Sequence, residues 1–209
     1  MASLNLETGE VCLKVVYYGS KNSGKSSNLQ HINANQFQER QSKSHYFLKS
    51  YDCFEFLPIV TNHFSEFKTK VHLWTLPNHD FFYDFNARML ENVDVLIHVV
   101  DTRLNHVHKI HSQIERIEKY LGFQDSQEEP RYLHVTQFNH RDSNESLALN
   151  ALKNILKDSS SLYTEAIAYK GEGVYETLNL ALDEVSKFLQ ERDSSFKHFI
   201  NYKMNEYKH

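Results

Sequence analysis

Directly after the apolar run Val11 to Tyr18 the chain reads Gly19-Ser20-Lys21-Asn22-Ser23-Gly24-Lys25-Ser26. This is a G-x-x-x-x-G-K-[ST] phosphate loop set between a predicted strand and a predicted helix. It constrains the fold tightly, because such a loop works only where a buried strand delivers backbone N–H groups to a helix N-terminus. Gly19 and Gly24 let the backbone turn with φ > 0 and come close to an anion. The N–H groups of Ser20, Lys21, Asn22 and Ser23 form a nest for a β-phosphate. Lys25 reaches the β- and γ-phosphates, the Ser26 hydroxyl is placed to ligate Mg²⁺, and Ser27 completes the binding set. The chain has only six glycines in 209 residues. A chance match is therefore on the order of a few in a thousand. The plainer alternative is an ordinary strand-to-helix turn with a capping Ser, and the strand–loop–helix context weighs against it.

The rest of the composition narrows the class. A chain of 209 residues fits one sizeable domain with a real core. A formal charge of −4 implies no broad basic field and argues against general nucleic-acid binding. Cys12 and Cys53 both fall in predicted strands and read as reduced core residues of a cytoplasmic protein. No apolar stretch reaches the length of a membrane span. Met1 to Glu10 lacks a signal pattern, and Lys208-His209 carries no lipidation box. The thirteen histidines are scattered. His108 and His111 share a helix face, but no carboxylate or thiol completes a metal set with them.

Along the chain, strands alternate with helices. Val11–Tyr18 is a buried strand and Lys25–Arg40 a helix. Asp52–Val60 is a second strand, in which Pro58 marks an edge or an end. Glu66–Leu76 alternates through Phe67, Thr69, Val71, Leu73 and Thr75 and pairs with it as a hairpin. Asp80–Glu91 is helical, Val93–Val100 a central parallel strand, and Asn105–Leu121 an amphipathic helix stopped by Gly122. Arg131–Phe138, Glu145–Leu156, Ser161–Tyr169 and Val174–Leu189 complete the alternation as strand, helix, strand and helix. The last helix carries Leu178, Ala181, Leu182, Val185 and Leu189 on one face. This order predicts an α/β fold with a mostly parallel sheet, helices on both faces and one antiparallel edge strand. Ligands of such sheets bind at the carboxyl ends of the strands. That rim gathers the phosphate loop, Asp101, Asn139 to Asp142, and the turn from Ala168 to Gly171. A helix cap or loop role is the plain reading of Asp101.

Asn139-His140-Arg141-Asp142 follows a strand. It resembles the N-K-x-D guanine box of Ras-like GTPases, with His140 at the Lys position. An Asp carboxylate such as Asp142 accepts hydrogen bonds from guanine N1–H and the 2-amino group, a donor pair that adenine lacks. Asn139 ties the box to the phosphate loop, and the ring of His140 stands in for the apolar Lys stem over the base. Read alone, the four residues are also explained by an Asx turn.

With the box in place, a longer resemblance emerges. Val15 to Ile32 is similar to the first strand, phosphate loop and helix of the bacterial MglA gliding-motility GTPases. So are Phe54-Glu55-Phe56-Leu57-Pro58, the run Phe67 to Pro77, and Glu165-Ala166 with Gly171 to Leu178. The likeness is collinear over about residues 11–190. It implies a P-loop NTPase fold with a Ras-like six-stranded sheet, formed by residues 1–192, with 193–209 a tail or extra helix. It implies GTP or GDP with Mg²⁺ as ligands, and Glu165-Ala166 at the base-stacking loop after the sixth strand. It further implies a cell-polarity switch that meets protein regulators and effectors, among them a roadblock-fold dimer.

The departures fall on the hydrolytic parts. The family's T-V-P-G-Q is here Thr75-Leu76-Pro77-Asn78-His79. Asn78 replaces the Gly that pivots between states, and His79 replaces the Gln that orients the attacking water, leaving His79 as the catalytic candidate. A gapless alignment back from Phe54 puts Ser50 and Tyr51 where the family has its arginine finger and switch-one Thr. Losing such an Arg is worth on the order of 10³–10⁵ in rate. Glu55 stands where the family has an Asp in its second strand. Trp74, Phe81, Phe82, Tyr83 and Phe85 form an aromatic cluster that reads either as core or as a partner-facing patch. Three readings stay open: a nucleotide switch with weak hydrolysis, a scaffold with fixed or no nucleotide, and a GTPase using His79 with a partner-supplied Arg.

Overall fold

The computed structural model describes residues 2–5, 10–39, 48–50, 54–64, 67–77, 79–103, 108–121, 132–141, 149–156 and 162–192. The described residues form eight strands and five α-helices: β1 (Ser3–Asn5), β2 (Glu10–Tyr18), α1 (Lys25–Glu39), β3 (Lys49–Ser50), β4 (Glu55–Phe64), β5 (Phe67–Thr75), α2 (Tyr83–Leu90), β6 (Val95–Asp101), α3 (Lys109–Leu121), β7 (Leu133–Asn139), α4 (Leu149–Leu156), β8 (Leu162–Ala166) and α5 (Val174–Arg192). A 3₁₀ turn, Asp80–Phe82, leads into α2. The expected tail 193–209 and the residues Cys53, Val107 and Gly122 lie outside the described residues.

The sheet runs β3-β4-β5-β2-β6-β7-β8, with β1 beside β2. Pairing is parallel from β5 through β2, β6 and β7 to β8. The β4–β5 hairpin is antiparallel, as the sequence predicts, and Pro58 sits opposite His72 within it. Two strands go beyond the expected six. β3 adds two residues antiparallel to the start of β4. β1 pairs antiparallel with Glu10–Cys12 of β2. β6 reaches β2 only from Val15 onward. The first residues of β2 thus have an open flank whose backbone groups need partners, and β1 supplies them.

Alternation along β2 places its two faces in two cores. Val11, Leu13, Val15 and Tyr17 pack with Leu29 and Ile32 of α1 and with Val174, Leu178, Ala181, Leu182 and Val185 of α5. Val16 and Tyr18 pack with Leu76, Leu90, Leu96, Ile117 and Tyr120 on the α2–α3 side. Every residue of β6 is buried, as a central parallel strand requires. Helix α3 buries Gln113 and Tyr120 beside Ile110 and Ile117. Both polar groups are satisfied, since His98 donates to Gln113 at 2.9 Å and Asn86 to the Tyr120 hydroxyl at 3.3 Å. Among the described residues no helix is long and apolar enough to cross a membrane.

Candidate functional site

The phosphate loop leaves β2 with Gly19 at φ +154°, Asn22 at +64° and Gly24 at +111°. A Cβ at Gly19 would lie 2.3 Å from the Val99 carbonyl oxygen, and one at Gly24 only 2.1 Å from the Asn139 amide nitrogen. Both positions therefore need glycine for space as well as for φ. Ser20 and Ser23 are buried, and the Ser23 hydroxyl has no partner. Lys21, Asn22 and Ser26 are exposed, and Ser27 is half-buried at the first turn of α1. The Lys25 ammonium folds back over the loop and donates to the carbonyls of Gly19 at 2.9 Å and Ser20 at 2.8 Å. Burial pushes its pKa down to about 8, against the pull of the Glu55 carboxylate. A desolvated cation hydrogen-bonded to backbone carbonyls, beside an orphan hydroxyl at the start of a helix, is a cradle suited to an anion.

Behind the loop, Asn139 is fully buried at the end of β7. Its Nδ2 donates to the Ser23 carbonyl at 2.5 Å, and its Oδ1 accepts from the Ala168 N–H at 2.9 Å. His140 is pinned at both ring nitrogens, Nδ1 against Thr102 Oγ1 at 3.2 Å and Nε2 against Glu165 Oε2 at 3.0 Å. Asp142 lies outside the described residues. Glu165 and Ala166 belong to β8, opposite Phe138 and Asn139. Glu165 and Ala166, which the resemblance puts at the base-stacking loop, are the last two residues of β8, and the turn that follows begins at Ile167, short of the Tyr169 end expected for this strand. Ala168 is the loop residue brought to Asn139. A buried amide network locks these parts together. Asn28 Nδ2 donates to the Gly24 carbonyl and to Gln137 Oε1, each at 2.9 Å. Gln137 Nε2 donates back to Asn28 Oδ1 at 3.0 Å and to Thr177 Oγ1 at 2.9 Å.

Over 197 residues the chain is 29% identical to the mutual gliding-motility protein MglA of Myxococcus xanthus strain DK1622, an alignment that covers 90% of this chain and 99% of the relative. The chain is MglA-like. Its fold is that of a Ras-like P-loop NTPase. No family model matches it.

The MglA-like chain carries its departures on the opposite flank, around β4, β5 and α2. Thr75 is buried and its Oγ1 accepts from the Glu55 N–H at 2.8 Å, so it locks two strands together. Glu55 Oε2 is buried without a hydrogen-bond partner, and its charge acts on Lys25. A lone buried carboxylate oxygen facing the phosphate-loop side suits a cation. The sequence placed Glu55 in a strand but gave no hint of this aim. Ser50 sits directly opposite Glu55 in the β3–β4 register, so the two share a face. Tyr51 and Asn78 lie outside the described residues.

His79 is exposed, and its Nδ1 accepts from the Phe81 N–H at 3.1 Å. It caps the 3₁₀ turn, and among the described residues no hydrogen bond joins it to the phosphate loop. Asn86 Nδ2 donates to the Pro77 carbonyl at 2.9 Å and anchors the segment before that turn. Asp101 accepts from its near neighbour Arg103 through Nε at 2.9 Å and Nη2 at 2.5 Å, and from the Arg103 N–H at 3.2 Å. In the aromatic cluster, Trp74 packs on Phe56 with centroids 4.2 Å apart, and Phe54 bridges Trp74 and Phe85. Phe81 stands out to solvent at 83% exposure.

Proposed function

We propose that this MglA-like chain is a guanine-nucleotide-binding switch protein that takes GTP or GDP with Mg²⁺ and signals to protein partners, with weak or absent intrinsic hydrolysis. The observation that carries the reading is the paired tether of Asn139, to Ser23 in the phosphate loop and to Ala168 behind it. Phosphate-binding and base-reading loops are useful together only when held at a fixed span, and this one side chain sets that span. Lys25 and the loop from Gly19 to Ser27 would hold the phosphates, while Asn139, Asp142 and the loop after β8 would hold the base. Ser26 and the Glu55 carboxylate would hold Mg²⁺, which when bound offsets charge between the phosphates.

Two side-chain positions support the weak-hydrolysis part of this reading. His79 is engaged as a cap, and Ser50 offers a hydroxyl where a guanidinium would stabilise developing charge. Ground-state binding parts stay while transition-state parts change. Residues 1–192 would form the nucleotide-binding unit, acting in the cytoplasm in cell polarity or gliding motility. The Phe54, Phe56, Trp74 and Phe85 face would meet regulators and effectors such as a roadblock-fold dimer. The Glu165–His140 strut supports a second reading, in which the base loop is fixed by protein contacts and the chain is a scaffold whose surface matters.

The test is nucleotide content and binding. Denaturing the purified protein and resolving the released nucleotide by chromatography comes first. Titration with fluorescent GDP and GTP analogues, with and without Mg²⁺, follows. Micromolar or tighter guanine binding that is lost in Lys25→Ala supports the switch. A folded protein that binds neither nucleotide, and whose Lys25→Ala variant keeps its partner, supports the scaffold. Turnover that rises above background only with an added partner supports a GTPase using His79 and a partner-supplied Arg.

A further inference from the structure

We propose that Arg141 is the outer clamp over the bound nucleoside phosphate, closing the site by bridging the base-reading loop to the phosphate loop; this rests on the nucleotide reading above. Arg141 Nη2 donates to the Asn22 carbonyl at 2.9 Å, across 119 positions of sequence. Asn22 is the exposed outermost point of the phosphate loop, and its φ of +64° turns the local backbone out of the regular path. The Arg141 guanidinium also lies 5.7 Å above the centre of the Tyr169 ring. Tyr169 follows Ala168, the residue tied to Asn139, and is 45% exposed. One side chain therefore touches the lip of the phosphate loop and the aromatic lip of the base loop.

The two tethers differ in kind. Asn139 to Ser23 is buried and belongs to the frame. Arg141 to Asn22 is exposed, two positions beyond Asn139 on one loop and one before Ser23 on the other, and can open. A ligand with its phosphates in the nest and its base beside Asn139 lies across the span between those loops. Its escape requires the outer bridge to part.

His140 is the neighbouring candidate, and its geometry argues against it. Both of its ring nitrogens are held, by Thr102 and Glu165, so the ring is fixed sideways as a strut. Arginine suits the clamp for two reasons. Its plane stacks on an aromatic face. It has five donors, of which the Asn22 carbonyl uses one. Among the described residues no other acceptor bonds to it, and the remaining N–H groups can meet an anionic ligand.

The experiment follows release of a fluorescent GDP analogue chased with excess GDP. It compares the unaltered chain with Arg141→Ala, Arg141→Lys and Tyr169→Leu. The clamp predicts release about tenfold faster or more in Arg141→Ala, from loss of a charge-assisted hydrogen bond. Lys keeps a donor but not the plane and falls in between. Tyr169→Leu also speeds release. Release from Arg141→Ala at the unaltered rate or slower overturns the clamp. Slower release would mark Arg141 as an obstruction. If the unaltered chain takes no guanine nucleotide, the functional reading fails by itself. The bridge is then scored by amide exchange of residues 19–24 in the empty protein, where Arg141→Ala must lower protection and an unchanged pattern overturns it. If Arg141→Ala does not fold, Arg141→Lys and Tyr169→Leu decide by the same criteria.

Discussion

The side-chain amide of Asn139 donates to the main-chain carbonyl of Ser23 at 2.5 Å, joining residues 116 positions apart in a fully buried setting. The same side chain accepts from Ala168, so two loops that never meet in sequence are set by one residue.

Asn139→Ala leaves the Ser23 carbonyl and the Ala168 N–H buried and unsatisfied. The expected loss is about 2–4 kcal/mol of stability, readable as a lower urea midpoint at unchanged slope. Gly24→Ala should be harsher still, since its Cβ would lie 2.1 Å from the Asn139 nitrogen at a φ of +111°. A Gly24→Ala protein with unaltered stability and nucleotide binding would refute this account of the loop.

Lys25 has its pKa lowered to about 8 by burial, from 10.5. Between those values the unfolded chain binds a proton that the folded chain does not. Without nucleotide, stability therefore rises from about pH 8 toward 10.5 and carries the full cost of the buried charge below pH 8. Lys25→Met should flatten that rise in pH-dependent urea melts. Affinity for the phosphates runs the other way. It falls above about pH 8 as the ammonium loses its proton, unless the ligand holds it charged.

His98 is fully buried and its pKa is pushed to about 4 by burial first and by His134 beside it. Its Nε2–H donates to Gln113, and burial together with His134 keeps the ring neutral in the native state at pH 7. Between pH 6.5 and 4 the unfolded chain takes up a proton that the folded chain refuses. Stability is therefore lost as pH falls through that window. His98→Gln removes the titrating group, and the acid slope of the urea midpoint between those values should shrink with it.

Glu55→Gln tests the cation side of the site. Its backbone bond to Thr75 is kept, so the fold should survive. The Mg²⁺ concentration needed for half-maximal nucleotide retention should rise by about tenfold, because a neutral amide is a weaker ligand for a hard cation. Unchanged Mg²⁺ dependence would remove Glu55 from the metal site.

The sequence alone carried the frame well where a single physical signal dominated. The uninterrupted apolar run of β6 needs burial on both faces. The spacing of Leu178, Ala181, Leu182, Val185 and Leu189 admits only a helix facing the core, and all five are buried. The phosphate loop is legible because its glycines and lysine are close in sequence. β1 and β3 were invisible because three and two residues carry no period, and their existence depends on open flanks of β2 and β4. The end of β8 comes at Ala166, three residues before the expected Tyr169, because ladder pairing, not local composition, sets it. A family pattern draws attention to His140, yet its neighbour Arg141 makes the long-range bond to Asn22. The aim of the Glu55 carboxylate likewise depends on what the folded chain puts around it.

The Asn28–Gln137–Thr177 network has a mechanical consequence. Two reciprocal amide bonds and a hydroxyl weld α1, β7 and α5 into a stiff chassis, with no water-exposed joint among them. The β4–β5 hairpin lies on the far side of β2 and meets that chassis both along the β2–β5 ladder and through Leu57, Ile59, Val71 and Leu73 in the core shared with α1 and α5. The phosphate loop and Asn139 are thus carried by the welded elements, while the aromatic face rides on strands held to them by ladder bonds and apolar packing.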